Sequence, residues 1–304
     1  MEKKSLIIRL FALVAALACA PGMLAAEAYA CYTSSNTTLT FYYDNQRTSR
    51  TGTTYDLNTG TNNAGWVNDS AYASVTKVVF DPSFADARPT TTSAWFYGMQ
   101  ILRSIEGLEN LNTSEVSNMA YMFYDCNELT SLDLSSFNTA NVTGMSHMFD
   151  RCVYLTSIDL SGFNTARVEA MDYMFNACIS LQTIYAGNGW STVAVTESEN
   201  MFNDCIDLVG GQGTSYDRNH LDKEYAHIDG GPSNPGYFTA AFMRGDVNMN
   251  GLVDIDDVTD LINYVLNIDD SNINISAADC HIDGSVDIDD VTALINYVLN
   301  GNWD

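Results

Sequence analysis

The stretch Met122-Phe123-Tyr124-Asp125-Cys126-Asn127-Glu128-Leu129-Thr130-Ser131-Leu132-Asp133-Leu134-Ser135-Ser136-Phe137-Asn138-Thr139 decides how the chain is read. It returns as Met148-Phe149-Asp150-Arg151-Cys152-Val153-Tyr154-Leu155 and onward to Phe163-Asn164-Thr165. A third copy starts at Met174-Phe175 with Cys178, Leu181 and Ile184, and a fourth at Met201-Phe202 with Cys205 and Leu208. The cysteines fall at 126, 152, 178 and 205, so the steps are 26, 26 and 27 residues. A fixed period of this size marks a stacked repeat. Trp95-Phe96 with Leu102, Ile105 and Leu108 is a degraded earlier copy, and the array runs from Trp95 to Leu208, about five coils.

Within a copy, Leu129, Leu132 and Leu134 (then Leu155, Ile158 and Leu160) end on alternating spacing, which predicts a short strand. Met119, Met122, Phe123 and Cys126 recur at three- and four-residue intervals, which predicts one or two helical turns before it. One coil cannot cover both of its apolar faces, so neighbours must stack. Cys and Met at equivalent places predict a buried ladder rather than a metal site, because close thiolate spacing is missing; mostly free thiols are expected, with disulfides between adjacent coils the alternative in an exported protein. The outward positions of the expected sheet are Ser104, Glu106, Ser131, Asp133, Ser157, Asp159, Thr183 and Tyr185. Ser131, Asp133, Ser157 and Asp159 are the candidate contacts for a protein or glycan ligand of the array.

The repeat Met-Phe-x-x-Cys-x-x-Leu-x-x-Leu-x-Leu-x-x-Phe-Asn-Thr resembles that of the BspA-type leucine-rich-repeat surface proteins. Flanking runs, Leu39-Thr40-Phe41-Tyr42-Tyr43-Asp44 and Tyr225-Ala226-His227-Ile228-Asp229-Gly230-Gly231, resemble the regions beside such repeats. The resemblance implies an exported or surface-exposed binding protein, with adhesion as the expected role.

A formal charge of −25 argues against nucleic acid and anionic membranes, both of which call for basic patches, and favours divalent cations or a basic partner. Lys3 and Lys4 followed by the apolar run Leu6 to Ala18 read as a secretory leader, too short to span a membrane, which takes ~20 apolar residues. Cleavage fits after Ala18 or after Ala30. Secretion or cell-surface display is expected, soluble export being the first reading and a lipid anchor at Cys19 the alternative. No other stretch is long and apolar enough to cross a membrane.

Leu39–Tyr43 and Val75–Phe80 are the strand candidates of the region before the array. Its aromatic residues (Phe41, Tyr42, Tyr43, Trp66, Trp95, Phe96) suit either a sugar-stacking platform or a seal on the end of the stack. After the array, Asp217, His220, Glu224, His227 and Asp229 offer His–carboxylate pairs, but no nucleophile elbow or paired-carboxylate motif accompanies them. No catalytic residue is therefore expected, and the region reads as a closing cap.

From Arg244 onward the composition changes. Thirteen Asp residues follow, while no Lys or Arg occurs after Arg244. Val253 to Asn267 recurs 33 residues later as Val286 to Asn300, with one change, Asp260 to Ala293. Each copy opens with oxygen donors at loop positions 1, 3, 5, 9 and 12 and Gly at 6. The first loop has Asp246, Asn248, Asn250, Gly251, Asp254 and Asp257, with the Leu252 carbonyl at position 7. In the second these are Asp279, His281, Asp283, Gly284, Asp287 and Asp290, with Ser285 at position 7. Ca²⁺ takes six to eight oxygens, and a tight turn at position 6 lets a loop wrap around it. Helical apolar spacing follows each loop.

Two loop–helix units with Asp at position 12 resemble a type I dockerin from Gly245 to about Gly301. That resemblance implies docking to a cohesin-type module, with Ca²⁺ as a structural ion. It assigns the contact to loop positions 10 and 11, here Ile255, Asp256, Ile288 and Asp289. Ser-Thr-like pairs are common there in the family; this chain carries Ile-Asp twice.

The expected fold is an α/β solenoid, a leucine-rich-repeat-like stack with capping regions, plus a small α-helical paired calcium-loop (dockerin-like) domain. The expected division is a leader over 1–30, an N-terminal cap over 31–94, the array over 95–209, a C-terminal cap and linker over 210–243, and the calcium-binding domain over 244–304. The expected role is non-enzymatic binding or adhesion; the rival is an accessory or catalytic subunit of an extracellular polysaccharide-degrading complex, and a third option is a structural cell-surface spacer with no ligand.

Overall fold

A computed structural model describes residues 25–32, 37–60, 62–187, 189–242, 244–250, 252–268, 273–281, 283, 285–301 and 303. The apolar run of the expected leader, Cys19, and both position-6 glycines of the acidic loops lie outside the described residues.

Five strands form the first sheet: β1 (Glu27–Tyr32), β2 (Thr38–Asp44), β3 (Thr54–Asp56), β4 (Lys77–Phe80) and β5 (Ser104–Glu106), in the order β3-β1-β2-β4-β5. β1 pairs antiparallel with β2 and β3, whereas β2–β4 and β4–β5 are parallel. Both strand candidates of this region thus form, as β2 and β4. β1 begins within the expected leader, and Tyr29 and Ala30 are fully buried in it. Removal of residues up to Ala30 would strip the pairing of Glu27 to Ala30 with Phe41 to Asp44. Phe41 packs on Trp66, Phe80, Phe84, Trp95 and Phe96 with ring centroids 4.6–6.2 Å apart. Trp66, Trp95, Phe41 and Phe96 have no exposed surface, which rules out a sugar platform built on them.

The second sheet holds β6 (Ser157–Leu160), β7 (Thr183–Ala186) and β8 (Phe238–Ala240), all parallel. Between the two sheets, residues 131–134 form no strand. The expected α/β solenoid with one small continuous sheet is corrected on both counts. The sheet positions are divided between two sheets, and among the described residues no α-helix lies in the array, which holds strands, turns and one short 3-10 turn at Leu108–Asn110; the α-helices all follow residue 254.

Backbone conformation explains why the expected helical turns do not form. Tyr121, His147, Tyr173 and Asn200 have φ of 54–59°, as do Asp125, Arg151, Ala177 and Asp204 at 55–61°. A left-handed residue ends the run of i→i−4 bonds that a helix needs, at roughly 1–2 kcal/mol each. The N–H groups point to the next copy instead. Met119, Tyr121, Phe123 and Asp125 donate to the carbonyls of Gly144, Ser146, Met148 and Asp150 at 2.8–2.9 Å. Met145, His147, Phe149 and Arg151 repeat this pattern onto Ala170, Asp172, Met174 and Asn176. Parallel bridges Asn118–Gly144, Gly144–Ala170 and Ala170–Glu197 mark the same register.

Side chains of the repeat motif lock neighbours together. Phe123, Phe149, Phe175 and Phe202 stack at 5.7 Å, within 10° of parallel. The thiols of Cys126, Cys152, Cys178 and Cys205 donate to the carbonyls of Phe96, Phe123, Phe149 and Phe175 at 3.0–3.2 Å. They are free and buried, and burial raises each thiol pKa. Thr113 and Thr139, buried in the Asn-Thr pairs, each use one hydroxyl twice: it donates to the next copy's Asn carbonyl and accepts that Asn's N–H, at 2.7–3.0 Å.

One continuous core runs from Ala30 to Phe238, joining the first sheet, the array and the closing segment. A second, smaller core (Val247, Val258, Leu261, Ala278, Cys280, Val291, Leu294) belongs to the tail. It is made by helices α1 (Ile255–Val265), α2 (Ile275–Ala278) and α3 (Ile288–Asn300). No helix among the described residues is long and apolar enough to cross a membrane.

Candidate functional site: paired acidic loops

The tail's two loops bend by the same device, a short side-chain oxygen that accepts a backbone N–H two to four residues on. In the first loop, Asn250 N–H donates to Asp246 at 2.9 Å and to Asn248 at 3.0 Å, and Leu252 N–H donates to Asn250 at 2.8 Å. In the second, Asp283 N–H donates to Asp279 at 3.0 Å and Ser285 N–H to Asp283 at 2.9 Å. Each loop then closes on its position-12 carboxylate. Asp257 accepts from the N–H groups of Asn248 and Asp254 at 3.0 and 2.9 Å; Asp290 accepts from His281 and Asp287 at 2.7 Å.

These closures double as helix caps. Asp254 caps α1 and Asp287 caps α3, each in a capping box with Asp257 or Asp290 as the third residue. Asp257 and Asp290 are buried, and Asp246 is 6% exposed. Burial, together with the charge of Asp246, pushes the Asp257 carboxyl above its usual range. The structure thus gathers Asp246, Asn248, Asn250, Asp254 and Asp257 into one loop, and Asp279, His281, Asp283, Asp287 and Asp290 into another. Leu252 and Ser285 sit at the seventh positions with exposed side chains.

No group of three His, Cys, Asp or Glu side chains among the described residues is already gathered as a metal cage. The donors nevertheless fit a hard divalent cation. The first loop supplies only oxygens, two of its carboxylates are withdrawn from water, and the tail holds no Lys or Arg after Arg244 to balance them. The second loop departs at His281, whose Nδ1 lies 3.4 Å from Asp283 Oδ2. Ser285 first, and His281 after it, hold the Asp283 carboxyl below its usual range.

Ile255, Asp256, Ile288 and Asp289 open the two helices on the outside, Ile255 being 63% and Ile288 62% exposed. The array candidates Ser131, Asp133, Ser157 and Asp159 are exposed as well, but only Ser157 and Asp159 lie on a strand. Asp133 bends its own segment by accepting Ser135 N–H at 3.0 Å.

Other titratable clusters are taken up by packing. His147 stacks between Tyr121 and Tyr173 at 4.5 and 4.8 Å while its Nδ1 meets buried Asp150 at 2.7 Å. In the closing segment His220 stacks on Tyr225 at 4.2 Å. Asp229 accepts from the N–H groups of Gln212, Thr214, Gly231 and Gly236 and from the Thr214 hydroxyl. Its oxygens hold a turn together and are not free to act as a base. The sequence reading missed this knot, whose signal was the Asp229-Gly230-Gly231 run facing Gly210-Gly211.

No curated protein and no solved structure matches the chain. Residues 90–211 match the family described as Mycoplasma protein of unknown function, DUF285, and residues 244–299 match the dockerin type I domain, so a repeat region of the first kind is followed here by a tail of the second.

Proposed function

We propose that the chain is an exported, non-enzymatic binding protein whose calcium-folded tail docks it to a cohesin-type module, while the array presents its surface to a protein or glycan. The observation that carries the docking half is the matching hydrogen-bond register of the two loops, in the segment that matches a dockerin type I domain. Asp246, Asn248, Asn250, Asp254, Asp257 and the Leu252 carbonyl would hold one Ca²⁺; Asp279, His281, Asp283, Asp287, Asp290 and the Ser285 carbonyl would hold the second. Bound calcium supplies positive charge that offsets the clustered carboxylates. The chain's own share is to bend each loop through Asx turns and to anchor it by capping the following helix.

Asp150, paired with His147, and Asp229 of the closing segment are both used up in packing, which supports a role without catalysis. Calorimetric titration of the full chain with Ca²⁺, beside the variant Asp246→Ala/Asp257→Ala, tests the loops. Loss of one tight site is expected; an unchanged isotherm rejects the ligand assignment. Binding of a purified cohesin module that requires calcium tests docking.

A further inference from the structure

Two exposed acidic residues at the helix starts stand apart from the loop carboxylates. Asp246, Asp254, Asp257, Asp279, Asp283, Asp287 and Asp290 each accept at least one backbone N–H within their own loop. Asp256 and Asp289 are exposed, and no described residue gives either side chain a hydrogen bond or ion pair. They occupy equivalent places beside Ile255 and Ile288, each more than 60% exposed. The helix start favours a carboxylate there. It does not explain the apolar neighbours.

From those isoleucines an apolar stripe continues along each helix. α1 carries Ile255, Thr259 and Ile262, the last partly buried against the tail core, with Leu266 just past its end, and α3 carries Ile288, Thr292, Ile295 and Leu299 at the same spacing. Leu266 is 60% and Leu299 74% exposed. Stripes of this kind are covered in a complex rather than left to water. Covering Ile255 or Ile288 also takes water from the carboxylate beside it, and an unpaired buried charge opposes association strongly. Within the tail no described residue supplies the counter-charge: its one basic residue, Arg244, donates its guanidinium to the Cys280 carbonyl and lies 4.2 Å over the Trp303 ring.

We propose that the tail selects a partner whose otherwise apolar docking face carries an Arg or Lys opposite Asp256 or Asp289. This rests on the docking function proposed above and narrows the cohesin-type partner to a basic-centred one. Arg suits the place best, since its planar fork binds a carboxylate through two hydrogen bonds. Because the two helices repeat the same residues, either end can receive the cation.

The test uses the full chain in calcium against a set of purified cohesin modules, some with and some without Arg or Lys at the centre of the docking face. Only the basic-centred modules should bind, more weakly as salt rises. Asp256→Lys/Asp289→Lys should lose on the order of a hundredfold in affinity, either single change about twofold, and Asp256→Glu/Asp289→Glu little. Calcium uptake by the double variant, measured by calorimetry, should match the parent, which separates lost recognition from lost folding. Equal binding of neutral-faced modules to parent and double variant overturns the charge requirement and leaves docking intact. Failure of every module to bind in calcium overturns docking and this inference together.

Discussion

At the scale of single residues, Asp229 shows how one carboxylate can hold a segment that has little regular structure. Burial raises its pKa, but donation from Thr214 N–H, the Thr214 hydroxyl, Gly231 N–H and Gln212 N–H outweighs that and brings it down to about 2. A depressed carboxyl stabilises the fold above its unfolded pKa of about 3.9, and the gain disappears as pH falls through the folded value. Asp229→Ala should therefore cost ~2–4 kcal/mol at neutral pH, from charge-assisted bonds lost and N–H groups left without an acceptor. Urea unfolding at several pH values checks this: the gap between parent and variant should be constant above about pH 5 and shrink below about pH 4. A gap that widens in acid contradicts the assignment. The cysteine ladder makes the opposite case, since its neutral form is the one the fold uses. Burial raises the thiol pKa of Cys126, Cys152, Cys178 and Cys205, and each donates its proton to a carbonyl. Only the thiolate reacts readily. Thiol titration with an aromatic disulfide at pH 8 should leave all four unmodified in the native chain and label them in denaturant.

At the scale of elements, the repeat was legible because its apolar positions must be buried whatever the local backbone does. Met122, Phe123, Cys126 and Leu129 are all buried, as are their counterparts Met148, Phe149, Cys152 and Leu155. The backbone between them was not legible. Spacing of three and four residues fits a helix and a run of turns equally, and after Gly98 in the first copy the left-handed places are filled by Tyr, His, Asn, Asp, Arg and Ala, so no repeated Gly flags them. Nor could the hydroxyl of Thr139 be recognised as a link between copies, because its partner Asn164 is one period away. The turns of the acidic loops were legible at Asp246, Asn248, Asn250, Asp279 and Asp283, since a turn made by side-chain oxygens displays those oxygens in the sequence itself. Ala177 gives a direct check on the turn geometry. It has φ of 55° and is half-buried, so Ala177→Gly relieves a strained backbone while removing only one methyl. This change should stabilise the chain by about 0.5–1 kcal/mol, whereas glycine inside a helix would destabilise it by a similar amount. Thermal unfolding of the two proteins distinguishes turn from helix by the sign of the shift.

For the whole molecule, the decisive feature is that burial is divided into two cores of different kinds. The larger one, from Ala30 to Phe238, is held by stacked rings, apolar side chains and bonds between copies, none of which involves a cation. The smaller is built on Val247, Val258, Leu261, Ala278, Cys280, Val291 and Leu294, under loops that carry most of the tail's Asp residues. Its apolar area is too small to outweigh chain entropy with much to spare, and repulsion between carboxylates works against it. A cation that binds only the folded loops stabilises by mass action, ~4 kcal/mol at a thousandfold excess over Kd. The larger core gains nothing from that ion. Scanning calorimetry of the full chain in millimolar calcium and in excess chelator should therefore show two transitions. The one belonging to residues 245–301 should fall or vanish with chelator, with the helical circular-dichroism signal of α1 and α3 lost at low temperature. The transition of the larger core should stay where it is, and the ring stacking around Phe41 and Trp95 should keep the emission of Trp66 and Trp95 native, so that loss of the tail changes only the share of Trp303, which stacks on Tyr297. A single transition that ignores chelator would mean that the acidic loops fold on their own and that the two cores unfold as one.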